Sequence, residues 1–148
     1  MSTSYILPIG EANDTGQREA WNGGIPMLSV LSALNKHADT PINCLVAQKN
    51  EIYIARTKTI FFPAIRCKSI TGVDTMLEIA FGLNGGTGDL FPATLVALAA
   101  AGDWYSWALL GLLKELSAGD KVNCQVATAT DATSLTIQPM LIGMAIPS

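Results

Sequence analysis

The feature that most constrains the fold is a series of short apolar segments separated by turn residues. From Ile25 onward, segments rich in apolar and β-branched residues recur about every 8 to 12 positions. Strands of this length bury their apolar side chains by pairing into sheets that pack on one another. The pattern is therefore typical of a β-sandwich or a β-barrel.

Two segments carry the clearest strand pattern. Residues 122–129 alternate strictly, with Val122, Cys124 and Val126 on one face and polar or small residues on the other. Residues 75–83 alternate in the same way, and the glycine-rich turn 84–89 follows them. A period of two residues predicts strands with one buried face.

Four further strands are predicted with less regular patterns. Residues 42–48 and 51–56 flank Lys49-Asn50, which predicts a hairpin with its turn at that pair. Residues 59–67 contain Pro63, which predicts a strand at a sheet edge or with a bulge. Residues 135–146, interrupted by Pro139, predict a buried last strand.

Residues 103–117 fit two different structures. A helix is favoured by Asp103, which could cap its start, and by leucines at helical spacing, namely Leu109, Leu112, Leu113 and Leu116. A strand is favoured by Gly111, by the aromatic residues near 105 and by the tight turn at 118–120. The sequence leaves both structures open.

The chain length predicts one domain with an irregular N-terminal arm. A chain of 148 residues has the usual size of a single domain. Residues 8–24 are rich in Gly, Asn, Asp and Glu, so residues 1–24 are predicted to form the arm. Residues 25–148 form one continuous β-sandwich domain in this interpretation.

The composition predicts that part of the surface is covered. Charged residues make up 14% of the chain, compared with about 25% in an average soluble domain, and mean hydropathy is +0.34. The apolar runs at 90–101 and 104–113 are shorter than the ~20 residues of a membrane-spanning helix. Contact with other protein subunits is therefore the expected cover. The first residues lack the pattern of a secretion signal, which favours synthesis in the cytoplasm.

The usual catalytic devices are not recognisable in the sequence. The single histidine, His37, lies in a polar stretch that predicts a solvated loop rather than a catalytic base held by packing. The glycines at 84–89 lack the lysine and the spacing of a phosphate-binding loop. No paired carboxylates stand out for glycoside hydrolysis. We expect a protein that is not an enzyme and that uses no cofactor.

Metal and nucleic-acid binding are also not expected. Cys44, Cys67 and Cys124 are far apart in the chain, without the close ligand pairs of zinc sites, and predict reduced buried thiols. The turn at 84–89 lacks the alternating carboxylates of a calcium loop. The net charge is -3 and the nine basic residues are scattered, so no surface that attracts nucleic acid is predicted.

Aromatic residues provide the candidate interface. The cluster near residue 105 suits an interface anchor or a platform for stacking on sugars, because aromatic residues dominate binding hot spots. Core packing explains the same cluster equally well. The candidate interface residues are Trp21, Phe61, Phe62, Trp104, Tyr105 and Trp107.

The second half of the chain resembles the jelly roll of the C1q and tumour-necrosis-factor-like superfamily, which is also found in structural proteins of phages and viruses. The resemblance lies in the strand 77–85, in the segment Leu113–Val122 with its Leu-x-x-Gly-Asp-x-Val motif followed by an alternating strand, and in the apolar strand Met140–Ile146. It implies an all-β, antiparallel jelly-roll-like sandwich, with a single helix near 103–117 as the open alternative, and apolar faces that form trimers.

Together with the composition, this resemblance predicts a virion structural protein. The expected role is a capsid cement or decoration subunit of a bacteriophage or other virus, a homotrimer that binds the major capsid protein and uses its N-terminal arm to clamp neighbouring subunits. A receptor- or carbohydrate-binding head of a phage fibre is the alternative. In either case the protein would be made in the host cytoplasm and function in the virion.

Overall fold

A computed structural model describes residues 29–31, 41–107 and 113–146. These residues form ten strands and contain no α-helix. The strands are β1 (Ser29–Leu31), β2 (Ile42–Asn43), β3 (Gln48–Ile54), β4 (Lys58–Thr71), β5 (Glu78–Leu83), β6 (Phe91–Leu95), β7 (Trp104–Ser106), β8 (Lys114–Leu116), β9 (Lys121–Thr128) and β10 (Ser134–Ile146).

Two antiparallel sheets divide the strands. Sheet A has the order β1-β10-β4-β7, with β2 also pairing with β10 and β8 also pairing with β4. Sheet B has the order β3-β9-β5-β6. The chain changes sheet from β3 to β4 to β5 and again from β8 to β9 to β10. The predicted all-β antiparallel sandwich is confirmed.

One core lies between the sheets. Phe61 of sheet A meets Phe91 of sheet B edge to face, with ring centroids 6.2 Å apart, and Phe81 meets Trp107 in the same geometry at 5.0 Å. All four side chains are buried. Edge-to-face contacts between aromatic rings add stability beyond the area that they bury. The inward faces of the two sheets therefore interlock through aromatic side chains.

The two alternating strands are confirmed with the predicted faces. Val122, Cys124 and Val126 of β9 are buried in the core, as are Ile79 and Phe81 of β5. The turn at 84–89 lies within the connection between β5 and β6. The alternating pattern was sufficient to predict these strands and their buried faces, because each strand has one apolar and one more polar face.

The predicted hairpin at Lys49-Asn50 is wrong. These two residues lie inside β3, where Lys49 pairs with Gln125 and Asn50 pairs with Cys124. The turn is instead at 44–47, and β2 pairs with β10 in the other sheet. The chain therefore crosses between sheets at this point rather than returning beside itself.

The Leu-x-x-Gly-Asp-x-Val motif makes a similar crossing. It joins β8 in sheet A to β9 in sheet B through the turn 117–120. In that turn the Asp120 carboxylate accepts a hydrogen bond from the Ser117 N–H at 2.8 Å.

Pro63 is not at the edge of its sheet. Its strand, β4, lies between β10 on one side and β7 and β8 on the other. Among the described residues, β8 pairs with 59–61 and β7 pairs with 64–66, so Pro63 lies where this second ladder is interrupted. A proline is tolerated there because it need not donate a hydrogen bond to a neighbouring strand on that side.

The segment 103–117 is strand at both described ends, as β7 and β8. The Asp103 carboxylate accepts hydrogen bonds from the N–H groups of Ala99 and Ala100, at 3.0 and 2.9 Å. It therefore closes the preceding turn instead of capping a helix. The leucines Leu109 and Leu112 lie outside the described residues, as do His37 and the predicted arm 1–24.

Candidate assembly interface

Strands β4 and β10 form the longest ladder in the molecule, from Lys58 paired with Ile146 to Thr71 paired with Ser134. Their inward side chains, which include Phe61, Ile65 and Ile137, are completely buried against sheet B. Successive side chains of a strand point to opposite faces. The residues between these core positions therefore lie on the outer face of sheet A.

The outer face of these two strands is also apolar. Phe62 pairs with Ile142, and Ile60 pairs with Met144, on the side away from sheet B. Ala64 pairs with Met140 in the next row. We call the six large apolar residues of this face the outer patch: Ile60, Phe62, Met140, Ile142, Met144 and Ile146. Each is partly buried.

Apolar side chains on both faces are unusual for a strand of a two-sheet sandwich. In antiparallel sheets with one solvated face, apolar residues alternate with polar ones, whereas strands covered on both faces are apolar throughout. Sheet B covers only the inward face of β4 and β10. The sequence of these strands is thus typical of a sheet with a second protein layer over its outer face.

Polar residues surround the outer patch. At one end, beside Ile146, the Lys58 ammonium forms an ion pair with the Glu115 carboxylate, with Nζ and Oε2 2.7 Å apart. Beyond the other end, Arg66 pairs with Gln138 on β10 and with Trp104 on β7. An apolar centre with a polar rim is the usual organisation of a protein–protein interface.

The outer face of sheet B is different in character. It carries Lys49, Glu51 and Lys121, and the loop from 84 to 90 folds over it. The Asn123 amide donates a hydrogen bond to the Gly86 carbonyl at 3.1 Å, and the Lys49 ammonium donates one to the Gly85 carbonyl at 2.9 Å. The chain itself therefore occupies part of this polar face, and among the described residues the large outer apolar cluster is on sheet A.

The predicted interface residues separate into three groups. Phe61 and Trp107 are fully buried core residues, so their assignment to an interface is corrected. Tyr105 is partly buried and contacts Trp107, with ring centroids 4.8 Å apart. Phe62 belongs to the outer patch, and Trp104 is exposed at its rim. Trp21 lies outside the described residues.

The methionine and isoleucine residues of β10 were missed by the sequence interpretation. The sequence predicts a buried last strand at 135–146 but does not assign these residues to an outer face. The available signal was that Met140, Ile142 and Met144 are apolar at every second position while Leu141 between them is apolar as well. A strand whose side chains are apolar on both faces is predicted to be covered on both faces.

The three cysteines are buried free thiols, as predicted. Burial raises the pKa of Cys44 to about 12, with a further contribution from the nearby Asp74 carboxylate. Burial also raises the pKa of Cys124. Thiols in such surroundings stay protonated, and a protonated thiol is neither a nucleophile nor a good metal ligand.

The described residues contain no group of three or more His, Cys, Asp or Glu side chains arranged to hold a metal ion. Within the same part of the chain, no helix is long and apolar enough to span a membrane. No protein-family model matches the chain, and neither does any curated protein.

Proposed function

We propose that the chain is a virion structural protein, a cement or decoration subunit that associates with copies of itself through the outer patch and stabilises a shell of major capsid protein. The observation that carries this proposal is the apolar outer face of β4 and β10. Left in water, these six side chains would form a contiguous apolar surface of a kind that marks interaction sites in soluble proteins.

Self-association explains the patch better than a small ligand does. The side chains lie on the open face of a sheet, not in a concave pocket of the kind that binds small molecules. Around a threefold axis the outer patches of three copies can converge and cover one another, and closed cyclic symmetry limits the number of copies. A homotrimer satisfies these conditions and accords with the low fraction of charged residues, 14% of the chain.

The fold adds support from a second direction. Jelly-roll sandwiches are common in capsid proteins, and the two packed antiparallel sheets of this chain are compatible with that fold. The resemblance of the second half to the C1q and tumour-necrosis-factor-like superfamily implies trimers formed through apolar sheet faces. In this proposal the N-terminal arm adds a strand to a neighbouring shell subunit.

A carbohydrate- or receptor-binding head is the second candidate, favoured by one observation. Trp104 is 54% exposed and stands at the end of the outer patch, next to Arg66. An exposed indole suits stacking on the apolar face of a sugar. This role would require a trimer as well, so assembly alone does not separate the two candidates.

Binding to shells separates them. The purified chain is mixed with empty shells of its parent particle that lack it, and the shells are sedimented and then heated. A cement subunit co-sediments in a fixed ratio and raises the temperature at which the shells fall apart. A chain that neither binds the shells nor stabilises them is not a cement subunit.

The same preparation is applied to a glycan array beside the variant Trp104→Ala. A cement subunit gives no glycan signal, whereas glycan binding that is lost in the variant would support the binding head. The control variant Leu113→Ala removes another exposed apolar side chain. This control variant is expected to keep any specific glycan signal.

A further inference from the structure

Four loops meet at one end of the sandwich. They are the connections β2–β3 (44–47), β4–β5 (72–77), β6–β7 (96–103) and β9–β10 (129–133), and together we call them the loop end. Because β4 ends where β10 begins, with Thr71 opposite Ser134, these connections share one edge of the molecule. The loops 55–57, 84–90 and 117–120 form the opposite end.

Buried hydrogen bonds hold the loop end together. The Asp74 side chain is buried, and its carboxylate accepts hydrogen bonds from the Leu77 N–H at 3.0 Å, the Leu98 N–H at 3.2 Å and the Thr130 hydroxyl at 2.7 Å. The Thr130 N–H in turn donates to the Cys44 carbonyl at 3.0 Å. One carboxylate thus links three of the loops, and its partner links the fourth.

Apolar side chains project from this framework into solvent. Val46 and Val73 are 62% and 63% exposed, and Met76 is 50% exposed. Leu95 and Trp104, also exposed, flank the same loops. In contrast, the described residues of the opposite end expose no large apolar side chain. A rigid framework that presents apolar groups loses little entropy when it binds a partner.

The charged residues of the loop end are all acidic. Its four loops contain three carboxylates, those of Asp74, Asp103 and Asp131, and no lysine or arginine. Asp131 is at the surface, where it accepts a hydrogen bond from the Thr75 N–H at 2.7 Å. The opposite end and its flanking residues carry both signs, for example Arg56, Asp120 and Lys121.

We propose that the loop end is a docking surface for a different protein that presents an apolar face with basic residues. Apolar contact suits Val46, Val73 and Met76. Basic groups suit the Asp103 and Asp131 carboxylates, because Asp74 is buried and these loops contain no lysine or arginine. Phosphate-bearing surfaces, such as nucleic acid or anionic lipid, require the cations that these loops lack. A second copy of the loop end would bring like charges together, which is unfavourable in an interface.

This inference rests on the proposed function, because it names the surface through which the subunit meets the shell. The outer patch joins copies of the chain, and in a cyclic oligomer all the loop ends point to the same side. Several equivalent docking surfaces can then bind one shell at the same time. The oligomer therefore binds the shell more tightly than a single docking surface would.

The test uses the full chain and empty shells of its parent particle. The double variant Val73→Ser, Met76→Ser is expected to bind shells at least about tenfold more weakly, with an unchanged oligomeric state and an unchanged circular dichroism spectrum. Val46→Ser, in a different loop, repeats the test. The matched control Leu113→Ser changes an equally exposed leucine away from the loops and keeps full binding.

Charge is tested separately by Asp131→Asn, which removes one negative charge and keeps an amide oxygen for the Thr75 N–H. We expect weaker shell binding and a smaller loss of binding when salt is raised. An unchanged salt dependence would overturn the basic character of the partner.

Three outcomes distinguish the two proposals. If the unmodified chain fails to bind shells, both the cement role and the docking surface are rejected. If it binds and the double variant binds equally well, the cement role stands and the docking surface is rejected. If phosphatidylcholine vesicles bind the unmodified chain but not the double variant, the loop end contacts lipid, and the protein partner is rejected.

Discussion

Phe62 and Ile142 lie opposite each other in the ladder of β4 and β10, on the face of sheet A that points away from the core. The preceding residue, Phe61, is the same residue type but is completely buried against Phe91 of the other sheet. Two adjacent phenylalanines thus have different environments, one in the core of the subunit and one on its outer face. The proposed assembly depends on the second.

Gly143 is required for the position of Phe61. A Cβ atom at this residue would lie 2.0 Å from the Ile60 carbonyl oxygen and 2.8 Å from the Phe61 Cα, so backbone would have to move. We expect Gly143→Ala to lower the free energy of unfolding by about 3 kcal/mol, measured by urea denaturation. Ala145→Ser, at an exposed position of the same strand, is expected to change it by less than about 0.5 kcal/mol. Equal stability of the two variants would contradict this packing.

Asp74 is predicted to be the main polar determinant of stability at the loop end. Asp74→Ala leaves the Leu77 and Leu98 N–H groups and the Thr130 hydroxyl without their acceptor. Because these donors would remain in place without a partner, the free energy of unfolding measured by urea denaturation is expected to fall by about 3 kcal/mol. The surface variant Asp131→Ala serves as the comparison and should lower the free energy of unfolding by a smaller amount. The assignment fails if Asp74→Ala is as stable as the unmodified chain.

The two tryptophans of the aromatic cluster are predicted to behave differently. Trp107 is fully buried and its indole N–H donates to the Thr94 hydroxyl at 3.3 Å, so Trp107→Ala is expected to lower the free energy of unfolding by about 4 kcal/mol. Trp104→Ala removes an exposed side chain and should cost less than about 1 kcal/mol. Thermal unfolding of both variants checks the pair. A larger loss of stability for Trp104→Ala than for Trp107→Ala would contradict the exposed position of Trp104 and the buried position of Trp107.

Raising the pH is predicted to destabilise the fold through its buried thiols. In the unfolded chain a cysteine has a pKa of about 8.5, whereas burial raises the pKa of Cys44 in the folded chain to about 12. Between these values the unfolded state releases protons that the folded state retains, so stability is complete below the first value and falls as the pH rises above it. Urea denaturation at pH 7.5 and 10 measures the difference, and Cys44→Ala should reduce it.

The same burial predicts that the thiols do not react in the native protein. A thiol-specific reagent at pH 8 should modify Cys44 and Cys124 only after denaturant is added. Rapid modification of the native chain at either residue would contradict the structure.

For strands with one apolar face the sequence predicted both the strand and its buried side, whereas for the other strands it did not identify the buried side or the partner strand. The alternation around Cys124 identified both the strand and its buried side, because polar neighbours marked the opposite face. Lys49-Asn50 has the composition of a turn but lies within a strand, and only the pairing of Lys49 with Gln125, a residue distant in sequence, reveals this. Local composition does not specify which distant strand is the partner.

The candidate interface was predicted only in part for a related reason. As neighbours in a strand, Phe61 and Phe62 lie on opposite faces. The sequence could not decide which face is the core, because both sides of β4 are apolar. Trp107 differs from Trp104 in the same way, since each could serve as a core or a surface residue. The decision requires the location of sheet B, which is set by pairings between strands far apart in the chain.

The central claim is self-association through the outer patch, and the mass of the purified chain in solution by light scattering tests it most directly. The unmodified chain is expected to be a trimer, and the variant Phe62→Ser, Ile142→Ser is expected to dissociate into folded monomers. The control Ile54→Ser changes a partly buried residue on the outer face of sheet B, opposite Lys121, and should remain a trimer. A monomeric unmodified chain, or a trimer that the double variant leaves intact, would contradict the account.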